Sequence, residues 1–462
     1  MKIKKLLAIT LALLLCVTLF ACNKSDEQTS DVPATPAASD SPAAPAASET
    51  PAAPAPSDTP AAPAASDTPA APAASDEPSA PPEEEPIPDG PPLKIGHICD
   101  LTGPEAMTGA QARDALQYAV DSLGGKFYGR PVEIIVGDAQ GQPSVAVDLA
   151  VKMVEQDGVV AIFGPTQIGQ KSAVSEYMKE AGIPLIFYNP TPTGLFMSNE
   201  WLVGSGGTTP QMPSVMAVYA YEELGYRTVH TIAMDNAGGK SFIDPFVETF
   251  EKLGGTVLQQ QWAPVPTPDF SPYLATLGDA DALVAWTSGS DAIALWQNWS
   301  DLGLNDKLPI ITPMHGGFTD SFVAGALSHA NPAACEAMMG ALAPMMYTYG
   351  IDSPANQEFV AGWTEEFGER PGGTNLPGSN AQAIYLLNAA ITETKGDTTP
   401  EVLIDALFSI SLDGPEGHLS FVNSRAATKD VYIVKVVQLD DESFNYEVVK
   451  AYHDVPPTGL GS

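Results

Sequence analysis

The sequence predicts an α/β protein built from two doubly wound parallel-sheet lobes. From Leu93 onward, short apolar runs alternate with longer amphipathic stretches, and a chain that alternates strand and helix favours parallel sheets covered by helices. The alternation runs through one set of elements and restarts at Thr228. Two successive sets therefore predict two lobes of the same class.

The first set contains four predicted strands separated by three predicted helices. The strands are predicted at 93–99, 132–136, 159–163 and 184–187, and the helices at 111–123, 144–156 and 169–181. Each strand is a short apolar run, and each helix has apolar residues at helical spacing. Gly182 directly follows the third helix and fits a helix C-terminus.

The second set repeats this order and is followed by a tail of helices and strands. Strands are predicted at 228–234, 256–262, 282–286 and 308–312, with helices at 241–253 and 293–302. The tail is predicted to contain helices at 356–367 and 381–394 and strands at 419–422, 431–439 and 446–452. The chain is thus predicted to end in strands that complete the second lobe.

The first 22 residues predict an export signal. Lys2, Lys4 and Lys5 precede an apolar run of about fifteen residues, whereas a membrane-spanning helix needs about twenty. The run ends in Leu19-Phe20-Ala21-Cys22, which resembles a bacterial lipobox, whose cysteine is lipidated. We therefore predict a lipoprotein signal peptide at 1–22, a lipid anchor at Cys22 and a location at the outer face of the cytoplasmic membrane or in the periplasm. An ordinary signal that happens to contain a cysteine is the alternative.

Residues 23–92 predict a disordered tether rich in proline, alanine, serine and acids. Serines recur every nine residues from Ser39 to Ser75, and an acid follows each of them. Nothing larger than alanine recurs that could be buried, so the repeat cannot build a solenoid. Frequent prolines and like charges favour an extended spacer. The folded body is therefore predicted to begin at residue 93.

Charge and motif content exclude several classes of function. The formal net charge is −35, and so acidic a surface repels nucleic acid, which we do not expect as a partner. The six histidines and four cysteines show no metal-ligand spacing, and no Gly-x-Ser-x-Gly elbow occurs. Residues 234–241 resemble a phosphate-binding loop, but Met234 replaces its first glycine. We expect no metal, no cofactor and no catalysis.

Two cysteines remain in the predicted folded body. Cys99 and Cys335 each lie in an apolar stretch, which favours two buried, unpaired thiols. A single disulfide between them stays open as the alternative.

Several segments of the body occur in the order and spacing of a known family. They are 93–97, 101–104 with Gly109, 137–138, 161–165, 182–187 with Thr191, Asp235, 414–417 and 420–421. With these segments the chain resembles the type I periplasmic binding proteins of the leucine/isoleucine/valine-binding group, over nearly all of residues 93–462. The resemblance implies a monomer that delivers a small molecule to the permease of an ABC importer.

The resemblance also implies how the chain divides into lobes. A three-segment hinge is expected near 205–208, 343–346 and 421–423. Lobe 1 would then comprise 93–207 and 344–422, and lobe 2 would comprise 208–343 and 423–462. The ligand is expected in the cleft between the lobes, at the carboxyl ends of the strands.

The resemblance places the ligand contacts on loops at these strand ends. The candidate ligand-binding residues are Thr108, Gln167, Ile168, Tyr188, Asn189, Thr191, Asp235, Trp286, Met314 and His315. Thr191 matches a family contact to the ligand carboxylate, and Gln167 stands near a second such position. Met314 or His315 stands where the family has an acid that pairs with an α-ammonium group.

These departures from the family change the expected ligand. Neither Met314 nor His315 can serve as the counter-ion of a buried ammonium, and an uncompensated buried charge is costly. The family's aromatic wall near Thr108 is missing, and Tyr188 and Trp286 supply new bulk. We therefore predict a carboxylate or amide with an apolar or aromatic body, with an amino acid as a less favoured member of that class.

Two other functions remain open. The same fold can pass ligand occupancy to a membrane receptor, because lobe closure shifts an open–closed population in either use. A surface hydrolase is the weaker alternative, since it rests only on acids at loop ends that helix capping also explains.

Overall fold

The computed structural model describes residues 90–103, 105–314, 332–371, 376–438 and 444–461. The predicted signal peptide with Cys22, the tether up to residue 89, and the candidate residue His315 lie outside these described residues. In the described ranges, no helix has both the length and the apolar character needed to cross a membrane.

The first sheet is formed by the first set of strands. Strands β1 to β6 are Leu93–Cys99, Lys126–Phe127, Arg130–Asp138, Ala161–Phe163, Leu185–Ile186 and Leu202–Val203. They lie in the order β2-β3-β1-β4-β5-β6, and every neighbouring pair except β2 and β3 is parallel. The carboxyl ends of β1, β3, β4 and β5 therefore meet at one edge.

Helices connect the strands of this sheet. Helices α1 to α4 are Ala106–Ser122, Pro143–Lys152, Ile168–Ala181 and Thr193–Ser198. A π-helical turn, Met153–Asp157, extends α2. Gly182 ends α3 with a left-handed backbone (φ 64°), which a residue without Cβ adopts at little cost.

The second sheet contains the later strands. Strands β7 to β11 are Thr228–Met234, Thr256–Ala263, Ala282–Trp286, Ile310–Ile311 and Leu342–Met345, and β12 to β15 are Leu412–Gly414, Gly417–Ser420, Thr428–Gln438 and Phe444–Val455. Their order is β12-β13-β14-β11-β10-β9-β7-β8, with β15 paired to β14. The four pairs among β7 to β11 are parallel. All pairs that include β12, β13, β14 or β15 are antiparallel.

The helices after β6 complete the described fold. Helices α5 to α12 are Gln211–Glu222, Ala237–Lys252, Ser271–Leu274, Gly289–Asp301, Pro332–Ala337, Pro354–Phe367, Leu376–Glu393 and Pro400–Ser409. The predicted fold class, α/β with two sheets of mainly parallel strands, is confirmed. The C-terminal part is antiparallel, since β12 to β15 follow one another along the chain without the long crossover that parallel strands need.

Element prediction succeeded for β1, β7 and β9, whose observed bounds are the predicted ones. It missed α5 because residues 211–220 are all buried. A helix that is buried all round has no polar face, so its sequence lacks the helical periodicity on which the prediction depends.

The chain passes between the two lobes near the first two predicted hinge segments. The amide of Gly204, just after β6, donates to the Arg425 carbonyl at 2.8 Å, and the amide of Ala427 donates back to Gly204 at 2.9 Å. The first crossing therefore lies beside the loop that joins β13 to β14, which contains the third predicted hinge segment. Their role as a hinge stays a prediction.

The helices between β11 and β12 pack on the first lobe. The Tyr118 ring of α1 lies edge-on to Phe359 and Trp363 of α10, with centroids 5.6 and 5.2 Å apart. Strands β12 and β13, which the predicted boundaries assign to lobe 1, instead pair onto β14 of the second sheet. The predicted boundary at 422/423 therefore falls in the loop between two antiparallel strands of one sheet, β13 and β14.

A buried ion pair joins the β12–β13 turn to β14. Glu416, in the β12–β13 turn, contacts the Lys429 ammonium of β14, and both side chains are almost fully buried. Two residues of α11 complete the contacts. The Ser379 hydroxyl donates to the same carboxylate, and the Gln382 side-chain oxygen accepts from the Glu416 backbone N–H at 2.9 Å. Burial raises the pKa of Glu416, and Lys429 acts in the opposite direction.

The predicted burial of Cys99 and Cys335 is also observed.

Candidate functional site

The carboxyl edge of the first sheet is the first half of the candidate site. Asp100 directly follows β1, Gln167 precedes α3, and Asn189 follows β5. Because these strands are parallel, their following loops meet. The Asn189 side-chain nitrogen donates to the Thr166 carbonyl at 3.1 Å, and the Gln167 side-chain nitrogen donates to the Asp100 carboxylate at 2.9 Å.

Asp100 organises this edge. Its carboxylate is buried and accepts from the Gly141 amide at 2.7 Å and from the side-chain nitrogens of Gln167 and Gln170 at 2.9 and 2.8 Å. A carboxylate only accepts hydrogen bonds, so both glutamines must turn their nitrogen toward it and their oxygen away. Gly109 of α1 is required beside it, since a Cβ there would lie 1.9 Å from the Asp100 carbonyl oxygen.

Thr191 lies behind this edge and contacts a buried lysine. Its side chain is fully buried, donates to the Asn189 carbonyl at 3.0 Å and accepts from the Lys171 ammonium at 2.8 Å. Lys171 also donates to the carbonyls of Asn189 and Pro190 at 3.2 and 3.1 Å. Burial lowers the pKa of Lys171. The hydroxyl predicted to meet a ligand thus faces the interior in this conformation.

The structure places Tyr188 in the core of the first lobe. Its side chain is fully buried, and its hydroxyl lies 3.2 Å from the Thr166 hydroxyl and 3.3 Å from Nε2 of His97. Burial raises the pKa of Tyr188. In this conformation Tyr188 therefore offers no surface as a cleft wall, whereas its neighbour Asn189 is partly exposed.

Two other candidates of the first lobe lie at helix starts. Thr108 lies in the first turn of α1, and Ile168 is the first residue of α3; both are half-buried. The first turn of α3 contains no acid, and no side chain caps it. Its free backbone N–H groups give this end partial positive charge.

The carboxyl edge of the second sheet carries an apolar cluster beside the polar residues that follow its strands, Asp235, Thr287 and Thr312. Trp286 ends β9 with 9% of its surface exposed, and its ring lies 5.2 Å from that of Phe242 in α6. A Cβ at Gly238 would meet the Trp286 ring at 3.0 Å, so the ring packs closely against the start of α6. Met314 packs against the same cluster, and the Trp286 indole nitrogen is buried with no hydrogen-bond partner among the described residues.

Asp235 lies in the loop after β7, beside this apolar cluster. Its side chain is 53% exposed and lies 3.2 Å from the Lys240 ammonium. The neighbouring Asn236 oxygen accepts from the Gly239 amide at 2.8 Å and so caps α6. In the loop that resembles a phosphate-binding sequence, the lysine therefore pairs with Asp235, and one backbone N–H donates to Asn236.

Sequence reasoning missed three members of the first edge: Asp100 as its organiser, Gln170 and Lys171. A usable signal existed, because Asp100 follows an apolar strand and Gln170 and Lys171 lie three and four residues after Gln167, on the same face of a helix. In the described residues, no group of three or more histidine, cysteine, aspartate or glutamate side chains could hold a metal ion.

A chain of polar residues lies elsewhere, on the β12–β13 hairpin. The Ser411 hydroxyl lies 3.1 Å from Nε2 of His418, whose Nδ1 lies 2.8 Å from Asp413. This is the order of nucleophile, base and orienting acid in serine hydrolases. Asp413 is 80% exposed, however, so water competes for the contact that would orient the imidazole.

Comparisons with known proteins agree with this architecture. A family model described as periplasmic binding protein matches residues 92–442. The Leu/Ile/Val-binding protein homolog 6 of Brucella melitensis is 23% identical over 376 residues, covering 80% of this chain and 93% of the relative.

Two solved structures extend the comparison. An ABC transporter substrate-binding protein from Sphaerobacter thermophilus is 30% identical with a TM-score of 0.72, covering 79% of this chain and 98% of that one. A solute-binding protein of an ABC transporter from Rhodopseudomonas palustris, in complex with 3,4-dihydroxybenzoic acid, is 25% identical with a TM-score of 0.69 and the same coverage.

Proposed function

This chain belongs to the periplasmic binding protein family, and from that premise we propose that it captures a small carboxylate or amide with an apolar or aromatic body for an ABC importer. One observation carries the proposal. The carboxyl edge of the first sheet is polar, with Asp100, Gln167 and Asn189, whereas that of the second sheet is apolar around Trp286. Such a pair of surfaces suits a ligand with one polar end and one apolar end.

The similar protein from Rhodopseudomonas palustris supports this ligand class, since it was solved with 3,4-dihydroxybenzoic acid, a carboxylate on an aromatic body. In the proposed mechanism the open lobes expose Gln167, Asn189 and the start of α3 to the polar end of the ligand. Closure about the three predicted hinge segments then brings the apolar end against the Trp286 and Met314 surface. Binding stabilises the closed state by its preference for that state, and the closed protein docks on the permease.

The N-terminal segments complete the proposal. Lipid on Cys22 would hold the protein at the outer face of the membrane, and residues 23–92 would space the body from it. At ~3.1 Å per residue the spacer reaches at most on the order of 200 Å. The lobes would act as a monomer divided at 207/208, 343/344 and 422/423.

The sensor alternative uses the same lobes and differs only in the partner that reads closure. Genes for a permease and ATPases beside this gene would favour uptake. For the hydrolase alternative, the Ser411–His418–Asp413 chain is the one specific observation. We assign it no catalysis, because an exposed acid in water holds its imidazole weakly.

A thermal-shift panel tests the proposed ligand class. The purified protein would be mixed with aromatic carboxylates, their amides, short aliphatic acids, leucine and valine. A ligand at a thousand times its Kd adds about 4 kcal/mol of stability, and the melting temperature should rise by several degrees. A shift with aromatic or aliphatic acids and none with leucine is the expected result. A strong shift with leucine or valine alone would contradict the proposed class.

A further inference from the structure

Lys171 is a fully buried lysine whose hydrogen-bond partners are all neutral, and its Nζ lies 5.2 Å from the centre of the Phe187 ring. Its side chain has 0% exposure, and the three N–H groups of its ammonium match three acceptors: the carbonyls of Asn189 and Pro190 and the hydroxyl of Thr191. Among the ion pairs of the described residues, none includes Lys171. A buried charge without an opposite charge is costly, even when it is hydrogen-bonded.

The other fully buried lysine of the described chain shows what Lys171 lacks. Lys429 is equally inaccessible, but the Glu416 carboxylate contacts its ammonium directly. The acids at the same sheet edge as Lys171, Asp100 and Asp138, instead accept hydrogen bonds from the loops around them. The positive charge of Lys171 is therefore left without a contacting counter-ion among the described residues.

The position of Lys171 relates this charge to the candidate site. Its three acceptors all belong to the Asn189–Thr191 turn after β5, and Asn189 is the partly exposed residue of that turn. Lys171 also lies near the start of α3, where the helix dipole is positive and the first turn contains no acid. Both features favour an anion in front of this turn.

We propose that Lys171 determines specificity at this site: the carboxylate of the ligand, bound in front of the Asn189–Thr191 turn, supplies the counter-charge of the buried ammonium. This inference rests on the proposed function and narrows its ligand class from carboxylates or amides to carboxylates. Lys171 acts through the turn and does not touch the ligand. An uncharged amide of the same shape fills the same space but leaves the lysine uncompensated, so it binds more weakly.

The experiment compares an acid with its amide in matched variants. Titration calorimetry on the full chain would measure the Kd of 3,4-dihydroxybenzoate and of 3,4-dihydroxybenzamide for the wild type, K171Q, K171R and K179Q. The K171Q variant keeps two side-chain donors for the turn and removes the charge, and K171R keeps the charge. Lys179 is an exposed lysine at the far end of the same helix, so K179Q removes one charge from α3 away from the turn.

The ratio of the two dissociation constants separates the electrostatic role from a structural one. In the wild type, K171R and K179Q, the acid is expected to bind at least about tenfold more tightly than the amide, and in K171Q this preference is expected to disappear. If Lys171 only holds the turn in place, K171Q weakens both ligands alike and the ratio survives, which overturns the inference. If K171Q fails to fold, the ratio in the wild type and K171R still tests the inference. Equal wild-type affinity for acid and amide overturns the inference and leaves the proposed function standing. Binding of neither compound to the wild type overturns the proposed aromatic ligand and the inference together.

Discussion

The carboxyl edges of the two sheets are both formed by loops that follow parallel strands, but their buried side chains differ in chemistry. At the edge of the first sheet, Asp100 and Lys171 are buried charges satisfied by amides, carbonyls and a hydroxyl. At the edge of the second sheet, Trp286, Phe242 and Met314 form a cluster held by apolar packing. The comparison shows that parallel strands only bring loops together, and that the side chains after each strand decide what the edge can bind.

This difference also predicts how each edge responds to mutation. Hydrogen bonds are directional, and a buried polar group that loses its partner incurs the cost of its desolvation. Apolar packing has no such direction, but removing a large side chain leaves a cavity. The changes in unfolding free energy caused by mutations at the two edges should therefore differ in size and in their dependence on pH and salt.

The largest effect is expected from Trp286→Ala in the apolar cluster. Removal of a buried tryptophan should lower the free energy of unfolding by about 3–5 kcal/mol, because the cavity can collapse only in part. Urea unfolding at neutral pH measures this. The matched control is Trp201→Ala, a half-buried tryptophan of the first lobe, which should cost less; equal losses would contradict the assignment of Trp286 to a packed core.

A pH-dependent effect is expected from His97, which lies beneath the polar edge. Burial, together with the charge of Arg113, lowers the pKa of His97 from 6.5 to about 3. Between these values the unfolded chain binds a proton that the folded chain does not, so stability falls as pH drops from about 6.5 to about 3. The slope contributed by one such histidine is at most about 1.4 kcal/mol per pH unit.

His97→Gln should remove this contribution, and the readout is the slope of unfolding free energy against pH. Tyr188→Phe is the control, because it deletes the hydroxyl near His97 and keeps the burial that causes the shift. An unchanged slope in His97→Gln would show that other groups account for acid destabilisation.

An intermediate effect is expected from Asp100→Asn. The new amide nitrogen faces a donor on whichever side it takes, Gln167 on one side or Gly141 and Gln170 on the other, so a buried hydrogen bond is lost or a glutamine amide must turn over. The cost should be about 1–3 kcal/mol of unfolding free energy. Asp121→Asn, at an exposed position on α1, should leave stability unchanged, and a null result for both variants would contradict the organising role of Asp100.

The smallest effect is expected from Asp235→Asn. The Asp235–Lys240 pair is about half exposed on both sides, and such pairs contribute less than about 1 kcal/mol because water and salt screen them. Chemical denaturation at low and high salt checks this, and the difference from wild type should shrink as salt increases. A larger loss that persists in high salt would mean that Asp235 has a structural role that its surface ion pair does not explain.

Much of the fold and part of the site could be predicted from the sequence. Alternating apolar and amphipathic segments predicted β1, β7 and β9 with their observed bounds, because short buried strands are apolar along their whole length. The helix Gln211–Glu222 could not be predicted in this way, since nearly all of its residues are buried and no periodicity remains.

The sequence by itself determined the order of strands and helices, and with it the loops that meet at each edge. Only the tertiary structure decided which side chains those loops turn outward. Tyr188 and Asn189 are adjacent, yet Tyr188 lies in the core and Asn189 is partly exposed, because successive side chains along an extended chain point to opposite sides. Likewise, Lys171 is a polar residue on a helix in the sequence, and its burial against Asn189, Pro190 and Thr191 arises only where α3 packs beside the end of β5.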